Sequence, residues 1–354
     1  MQLQLDPTIT YAIALEGGGA KGAYEIGAWR ALEEAGIRYN AVSGTSVGAL
    51  NGAMMCMRRL DEATKIWKDI RLSNVINVDA SSETDLKKLV SGGLDLGNLH
   101  ELLPKMLDII RAGGLDVAPL RAWVREIIDE DAIRNSDVAL YACTVSLSDR
   151  KDLEIKLNDL PEGEICDMLL ASAYHPTFRQ ERLGGKYYTD GGLVDSLPLH
   201  VLVENGYRDI IAVRIPGHGL ERRFKLPEDV HLTTIATRSD LGGVLNFSPE
   251  QSQRDMEIGY WDAKRVLYGL SGNKYYVDRT MTEEQAFQEL LKLVQPGQSL
   301  RETCEKVLPA QAKRLGVSGD YYALLLAVLE EQAQARSLPV YRLYSDQELL
   351  WAVK

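Results

Sequence analysis

The residues best suited to chemistry form the sequence Gly-Thr-Ser-Val-Gly at positions 44–48, in which Gly44 and Gly48 flank Ser46. Apolar residues precede this stretch, and a run of small and apolar residues, 49–57, follows it. The order predicts a strand, a sharp turn and a buried helix, because such a turn has no room for side chains two residues either side of the serine. The turn would place the Ser46 hydroxyl at a helix N-terminus, a setting that favours developing negative charge and nucleophilic attack on an acyl group. A purely structural turn has the same pattern, so the motif needs support from the rest of the chain.

A second glycine-rich turn, Glu16–Gly22, follows a predicted buried strand at Tyr11–Leu15 and precedes a predicted helix. Its backbone N–H groups would form a nest for an anion, either a phosphate or the oxyanion of a tetrahedral intermediate. The glycines also have the spacing of a dinucleotide-binding fingerprint. That fold needs an acidic residue after the second strand to hold a ribose, and here the second strand ends in Ser43–Ser46. The nicotinamide interpretation is therefore disfavoured.

A serine nucleophile also needs a base. None of the five histidines lies in a recognisable triad setting: His100, His175, His200, His218 and His231. Asp190 is better placed, because it follows a short predicted strand and precedes Gly191 and Gly192, which leave room for another loop to approach its carboxylate. Partial burial would raise the pKa of this carboxyl above its usual ~4 and make it a stronger base. Asp-Gly-Gly by itself is also a common structural turn.

The elements that must position these turns read as strand, loop, helix, strand, serine turn and helix over the first fifty residues. This order predicts a parallel, doubly wound α/β sheet, in which ligands collect at the carboxyl ends of the strands. Further buried strands are predicted at 138–145, 209–215 and around 232–236, and the helix after Ser46 is expected at the centre of the domain. Residues 99–110 place leucine and methionine on one helical face, which indicates a core-facing helix or, alternatively, a mobile cap that presents them to lipid.

Composition limits the function. The chain has 354 residues, 45% of them hydrophobic, and a net charge of −11, which disfavour general disorder and nucleic acid as a partner. The N-terminus lacks the features of a secretory signal, and no apolar run approaches the ~20 residues that span a bilayer. The cysteines are far apart in apolar surroundings, so we expect them to be reduced and buried, as in a cytoplasmic protein: Cys56, Cys143, Cys166 and Cys304.

Taken together, the motifs resemble those of the patatin-like phospholipase family. The resemblance extends over about residues 10 to 275 and rests on four stretches: Glu16–Gly22, Gly44–Gly48, Ala171–Phe178 and Asp190–Pro198. It implies a three-layer α/β/α fold with a mainly parallel central sheet. Matching positions imply that Ser46 is the nucleophile and Asp190 the base of a Ser–Asp dyad that hydrolyses acyl esters of lipids. They also imply an oxyanion hole and supporting glycines and lysine: Gly17, Gly18, Gly19, Lys21, Gly22, Gly44, Gly48, Gly191 and Gly192.

Two departures from the family pattern lie close to the dyad motifs. Many members carry Asn where this chain has Ser196, and a small apolar residue is common where His175 stands. Both departures concern substrate preference more than the reaction itself.

The sequence therefore predicts a cytoplasmic serine acyl hydrolase that needs no metal or organic cofactor. Its expected partner is a lipid ester, phospholipid above all, met during transient contact with a membrane surface. We expect an acyl hydrolase domain at 1–280 and a C-terminal helical extension of three or four helices at 281–354, packed on the core. Two alternatives stay open: a Ser–His–Asp esterase of the α/β-hydrolase class, and a non-catalytic lipid-binding or regulatory module on the same fold.

Overall fold

The structure is a computed structural model that describes residues 2–77, 104, 107–216, 219–294 and 299–354. The chain divides into two compact units. The larger is Leu5–Ala263, and the smaller is Lys264–Lys354 together with the first four residues. The predicted boundary at residue 280 stays a prediction.

A mostly parallel sheet forms the centre of the larger unit, in the order β4-β3-β2-β1-β6-β7. Five strands run parallel to one another: β1 (Thr10–Leu15), β2 (Arg38–Thr45), β3 (Ala139–Ser146), β6 (Asp209–Arg214) and β7 (His231–Ala236). Two further strands pair antiparallel with β3, namely β4 (Lys151–Lys156) and β5 (Tyr188–Asp190). The predicted doubly wound sheet is confirmed.

Helices cover both faces of this sheet. Those that begin in the larger unit are α1 (Ala23–Glu34), α2 (Val47–Cys56), α3 (Leu60–Asp69), α4 (Ala118–Ile127), α5 (Glu130–Arg134), α6 (Ile165–Ser172), α7 (Leu199–Glu204) and α8 (Pro249–Tyr268). On one face α2 packs so closely that a Cβ on Gly52 would lie 3.1 Å from the side chain of Val42. On the other face α7 packs against a cluster that includes Ala41. Adjacent strand residues point to opposite faces, so the unit has three layers, α/β/α.

Several elements lack the signals that sequence analysis relies on. The antiparallel strand β4 and the helices α4 and α8 were not predicted. The predicted amphipathic segment 99–110 falls mostly outside the described residues, which exclude 99–103, 105 and 106. Two members of its apolar face are described, and Leu107 and Ile110 are 42% and 44% exposed. The core-facing interpretation is therefore wrong for these two residues.

The smaller unit is mainly helical and has its own hydrophobic core. Its helices are α9 (Glu283–Leu293), α10 (Leu308–Leu315), α11 (Tyr321–Ala335) and α12 (Asp346–Val353), and a short helical turn, Leu300–Glu302, leads through Thr303–Val307 into α10. Strands β8 (Tyr276–Asp278) and β9 (Leu343–Ser345) form a small parallel pair that was not predicted. The prediction of three or four helices in this region agrees with the structure.

The cysteines are unpaired, as expected, although Cys304 is only partly buried. In the described part of the chain, no helix combines the length and the apolar character needed to cross a membrane.

Candidate active site

The serine turn joins β2 to α2 with a strained backbone. Ser46 has φ 56° and ψ −124°, a conformation that residues with a Cβ rarely adopt. A Cβ on Gly44 would lie 2.3 Å from the backbone of Gly48, and one on Gly48 would lie 2.7 Å from the carbonyl oxygen of Leu15. Both glycines are therefore required by close backbone contacts, and the sharp turn predicted from the spacing is present.

A buried hydroxyl holds this turn in place. The backbone N–H of Ser46 donates to Ser172 Oγ at 2.9 Å, and the Ser172 hydroxyl donates to the carbonyl of Cys143 at 2.6 Å. Ser172 is the last residue of α6 and is fully buried. Sequence analysis missed this role, because a serine within an apolar helix gives no sign of which backbone group it binds.

Asp190 ends β5 and lies beside the serine turn, because β5 continues the sheet past the end of β2. Its N–H donates to the carbonyl of Tyr174 at 2.8 Å, and its carboxylate accepts from the N–H of Gly192 at 2.7 Å. The Ser46 side chain also interacts with this carboxylate and favours its ionised form. A Cβ on Gly191 would lie 2.3 Å from the carbonyl of Cys143, so this glycine lets the turn pack directly on β3.

Burial controls the ionisation of Asp190. The side chain is enclosed by protein, and the loss of hydration raises the pKa of its carboxyl to about 6, although the Ser46 side chain and the hydrogen bond from the Gly192 N–H act in the opposite direction. The carboxylate is thus still ionised at neutral pH but is a stronger base than an exposed aspartate. The Asp190 side chain is more deeply buried than the sequence predicted.

The first glycine-rich loop lies against the serine. A Cβ on Gly17 would lie 3.3 Å from the Cβ of Ser46. The Gly17 N–H donates to the carbonyl of Ser196 at 2.8 Å, so it is already occupied. Gly19 has φ 59°, and a Cβ there would lie 2.2 Å from the carbonyl oxygen of Val244. Within the described part of the chain, the N–H groups of Gly18 and Gly19 have no hydrogen-bond acceptor.

Lys21 and Gly22 support this loop without reaching the serine. The Lys21 ammonium donates to the carbonyl of Pro216, just beyond β6, and burial lowers the pKa of this lysine. A Cβ on Gly22 would lie 2.5 Å from the side chain of Val47, so Gly22 allows α1 to begin directly against α2. The two residues fix the loop between the sheet and the helix that follows Ser46.

The segment Asp195–Ser196 joins the two turns. Its carbonyls accept from the Thr45 hydroxyl at 2.9 Å and from the Gly17 N–H at 2.8 Å. Behind it, the buried His200 places Nδ1 2.8 Å from Asp195 Oδ2 and Nε2 2.6 Å from Glu154 Oε1. Burial lowers the pKa of His200, but the two carboxylates outweigh that effect and raise it.

The other histidines have separate partners. His175 Nδ1 lies 2.7 Å from the Thr177 hydroxyl, and the exposed His231 lies 2.9 Å from the Asp209 carboxylate. His100 and His218 lie outside the described residues. Among the histidines that the structure describes, none contacts Ser46, and the partner that a Ser–His–Asp triad requires is absent from this part of the chain.

A mostly apolar cavity of about 210 Å³ opens beside Ser46 and Asp190. The three glycines 17–19 line one side of it, and helices α2, α3 and α4 supply apolar walls: Leu50, Met54, Ile66, Trp67, Leu120, Trp123 and Val124. The helix after Ser46 is buried, as predicted, and one side of it also forms the cavity wall. The contributions of Trp67 and Trp123 were missed, because aromatic residues on an amphipathic helix are more often ordinary core.

A buried polar chain orients Trp67. Its indole N–H donates to Asn51 Oδ1 at 3.0 Å, and Asn51 Nδ2 donates to Glu25 Oε2 at 2.7 Å. Burial raises the pKa of Glu25 well above its ordinary value. This chain of hydrogen bonds therefore fixes Trp67 in one wall of the cavity.

A family model described as patatin-like phospholipase matches residues 13–203, more than half of the chain, and contains both the serine turn and Asp190. The chain belongs to the patatin-like phospholipase family. At the level of the family, this membership supports a lipid acyl hydrolase.

Relatives with assigned names share parts of the chain. Neuropathy target esterase sws of Drosophila melanogaster is 26% identical over 203 residues, which cover 57% of this chain and 13% of that protein. Patatin-like phospholipase domain-containing protein 6 of Homo sapiens is 46% identical over 56 residues, or 16% of this chain and 4% of that one. The chain thus spans a small fraction of the length of these relatives.

Among solved structures, VipD from Legionella pneumophila aligns with a TM-score of 0.43 at 15% identity, over 94% of this chain and 81% of that chain. The type III effector protein ExoU aligns with a TM-score of 0.34 at 17% identity, over 97% of this chain and 68% of that chain.

The raised pKa of Asp190 predicts how the stability of the fold depends on pH. The folded carboxyl titrates near pH 6 and an unfolded one near pH ~4, so the folded state loses stability as the pH rises from 4 to 6. A difference of about two pKa units between the folded and unfolded states corresponds to about 3 kcal/mol in the free energy of unfolding. Asp190→Asn removes the charge, and we expect the variant to be more stable than the wild type at pH 7 and equally stable at pH 4, measured by urea unfolding.

The matched control is Asp137→Asn, in which the aspartate side chain is 80% exposed and pairs with Arg58 at the surface, where an ion pair contributes about 0–1 kcal/mol. If Asp190→Asn were less stable than the wild type at both pH values, the burial of an ionised carboxylate at this position would be contradicted.

Proposed function

We propose that this patatin-like protein is a serine acyl hydrolase that cleaves fatty-acyl esters of lipids, with Ser46 as nucleophile and Asp190 as base. The observation that carries the proposal is the position of the Ser46 side chain beside a buried carboxylate whose pKa is about 6, on the wall of one cavity. A base with a pKa near the working pH is ionised and also accepts a proton readily. The strained turn exposes the serine at a helix N-terminus, where negative charge is stabilised.

In the proposed reaction, Ser46 Oγ attacks the ester carbonyl while Asp190 takes the hydroxyl proton. The tetrahedral intermediate collapses as Asp190 returns that proton to the leaving alcohol, and an acyl-enzyme forms on Ser46. A water molecule then attacks the acyl group with Asp190 again as base, and the fatty acid leaves as Ser46 regains its proton. These steps use two side chains and water.

The oxyanion is assigned to backbone donors. The sequence implied Gly17, Gly18 and Gly19, but the Gly17 N–H already donates to the Ser196 carbonyl. We therefore assign the oxyanion contacts to the N–H groups of Gly18 and Gly19, which border the cavity beside Ser46. Fixed donors aimed at developing charge stabilise the transition state more than the substrate.

The substrate is proposed to be a lipid ester, phospholipid in the first instance, with its acyl chain in the apolar cavity. Apolar walls and a small number of polar groups next to the nucleophile suit an acyl chain, because burial of each methylene group contributes about 0.8 kcal/mol. We further propose that the protein acts in the cytoplasm during transient contact with membrane surfaces, and that residues 1–280 form the hydrolase domain. The unpaired cysteines support the compartment.

Substitution of the dyad tests this proposal. Ser46→Ala and Asp190→Asn should each lower kcat for a chromogenic fatty-acyl ester by at least about 10²-fold, because nucleophile and base act in one step. His175→Ala, His200→Ala and His231→Ala should each keep activity within about tenfold, since a structural histidine does not accept the serine proton. Initial rates for all five variants give the comparison.

Variants, and not the pH profile, separate a dyad from a triad here. Activity should fall on acidification with an apparent pKa of about 6, which lies close to that of an unperturbed histidine. A histidine variant as inactive as Ser46→Ala, together with an active Asp190→Asn, would establish the triad. Inactivity of the wild type itself on every ester, with lipid still bound, would favour the non-catalytic module.

The oxyanion assignment makes a separate prediction. A Cβ on Gly18 would lie 2.7 Å from the Ile215 side chain, on the cavity wall next to the assigned oxyanion donors, so Gly18→Ala should lower kcat by roughly 10²–10³-fold with a smaller change in KM. Gly52→Ala is the control, because its Cβ would also meet only side chains, at 3.1 Å, but on the sheet side of α2. A normal kcat with a raised KM in Gly18→Ala would indicate a ligand-phosphate site instead.

A further inference from the structure

His175 stands on the wall of the cavity that contains the proposed dyad, Ser46 and Asp190. Its loop is fixed on both sides, because Ser172 accepts from the Ser46 N–H and the Tyr174 carbonyl accepts from the Asp190 N–H. The position of His175 is thus set by the two residues that are proposed to react.

Hydrogen bonds determine which ring nitrogen of His175 carries the proton. Nδ1 lies 2.7 Å from the Thr177 hydroxyl and accepts from the Thr177 N–H at 3.3 Å. A backbone amide can only donate, so Nδ1 is an acceptor and the neutral ring carries its proton on Nε2. Burial lowers the pKa of His175 to about 4, which keeps the ring neutral at physiological pH.

The Nε2–H group is available for a ligand. Among the described residues it has no hydrogen-bond acceptor. The Nε2 atom is also not fully enclosed by protein, so a ligand can reach it. His175 is partly exposed, and the cavity is the space that it borders. Asn51, another polar residue of the cavity wall, already bonds to Glu25 and Trp67. His175 therefore offers an uncharged donor among the residues that line the cavity of Ser46 and Asp190.

We propose that His175 determines specificity by donating its Nε2–H to an oxygen on the alcohol side of the ester. An acyl chain offers no oxygen beyond the carbonyl, which is assigned to the Gly18 and Gly19 N–H groups. The alcohol lies towards Asp190, which must protonate it, and the loop of His175 bonds to Asp190. The geometry thus favours esters of an alcohol with a second oxygen beside the scissile bond, such as glycerol, over esters of plain alcohols. This inference rests on the proposed function.

The test compares monooctanoylglycerol with butyl octanoate, which share the acyl chain but differ in the oxygens of the alcohol. His175→Phe should lower kcat/KM for the glycerol ester about fivefold, the effect of one hydrogen bond of about 1 kcal/mol, and change that for the butyl ester less than twofold. The loss should lie in KM, since the bonded oxygen does not react. His175→Gln keeps an N–H donor and should recover most of the preference.

The preference for the glycerol ester should also be constant from pH 5.5 to 8, because the ring stays neutral in that range. A preference that rises as the pH falls through 6.5 would mean a protonated ring and would overturn the proposal. An equal loss on both substrates, or no loss on either, would overturn it as well. Thermal unfolding checks each variant, and His175→Ala replaces His175→Phe if the latter does not fold.

Ser46→Ala, assayed on both esters, separates this proposal from the proposed function. Continued hydrolysis by Ser46→Ala would show that the proposed function is wrong. Its inactivity, combined with an unchanged preference in His175→Phe, would leave the proposed function intact and remove only the role of His175.

Discussion

The position of the Ser46 side chain beside the enclosed Asp190 carboxylate is the constraint that the rest of the larger unit satisfies. Removing a carboxylate from water is unfavourable, and here the Ser46 side chain and the hydrogen bond from the Gly192 N–H offset part of that cost. The remaining penalty appears as a pKa of about 6. The same desolvation that weakens the fold at neutral pH makes the carboxylate basic enough for its proposed role, so stability and activity oppose each other at this one residue.

Close backbone contacts bring the two residues together. Gly191 lets the Asp190 turn pack on the carbonyl of Cys143 and beside the Thr45 side chain, and Gly44 lets the serine turn fold back tightly on Gly48. Ser172 then links the serine turn to β3 through one hydroxyl. The segment Asp195–Ser196 fixes the serine turn to the first glycine-rich loop, and the buried His200 holds that segment from behind. The site is thus built from contacts between turns at strand ends, as expected for a parallel sheet.

The parts that the sequence predicted well are those with a local signal. The turns at Ser46 and Asp190 carry glycines at positions where close contacts leave no room for a side chain. The strands β1, β3 and β6 are mostly apolar. The parts that were missed depend on partners distant in the chain. The neighbouring sequence does not indicate that Ser172 accepts from the Ser46 amide or that Trp67 lines a cavity. It also does not indicate that the Gly17 N–H donates to the Ser196 carbonyl. The edge strand β4 was missed because its mixed, half-exposed sequence lacks an apolar run.

The most direct test of the account is the reaction of the protein with a fluorophosphonate at a series of pH values, followed by peptide mapping with mass spectrometry. A fluorophosphonate forms a covalent bond with an activated serine. The account predicts a single adduct on Ser46, formed at a rate that rises with deprotonation of a group of pKa about 6, and little adduct in Asp190→Asn. An adduct on another residue, or an unchanged rate of labelling of Ser46 in Asp190→Asn, would contradict it.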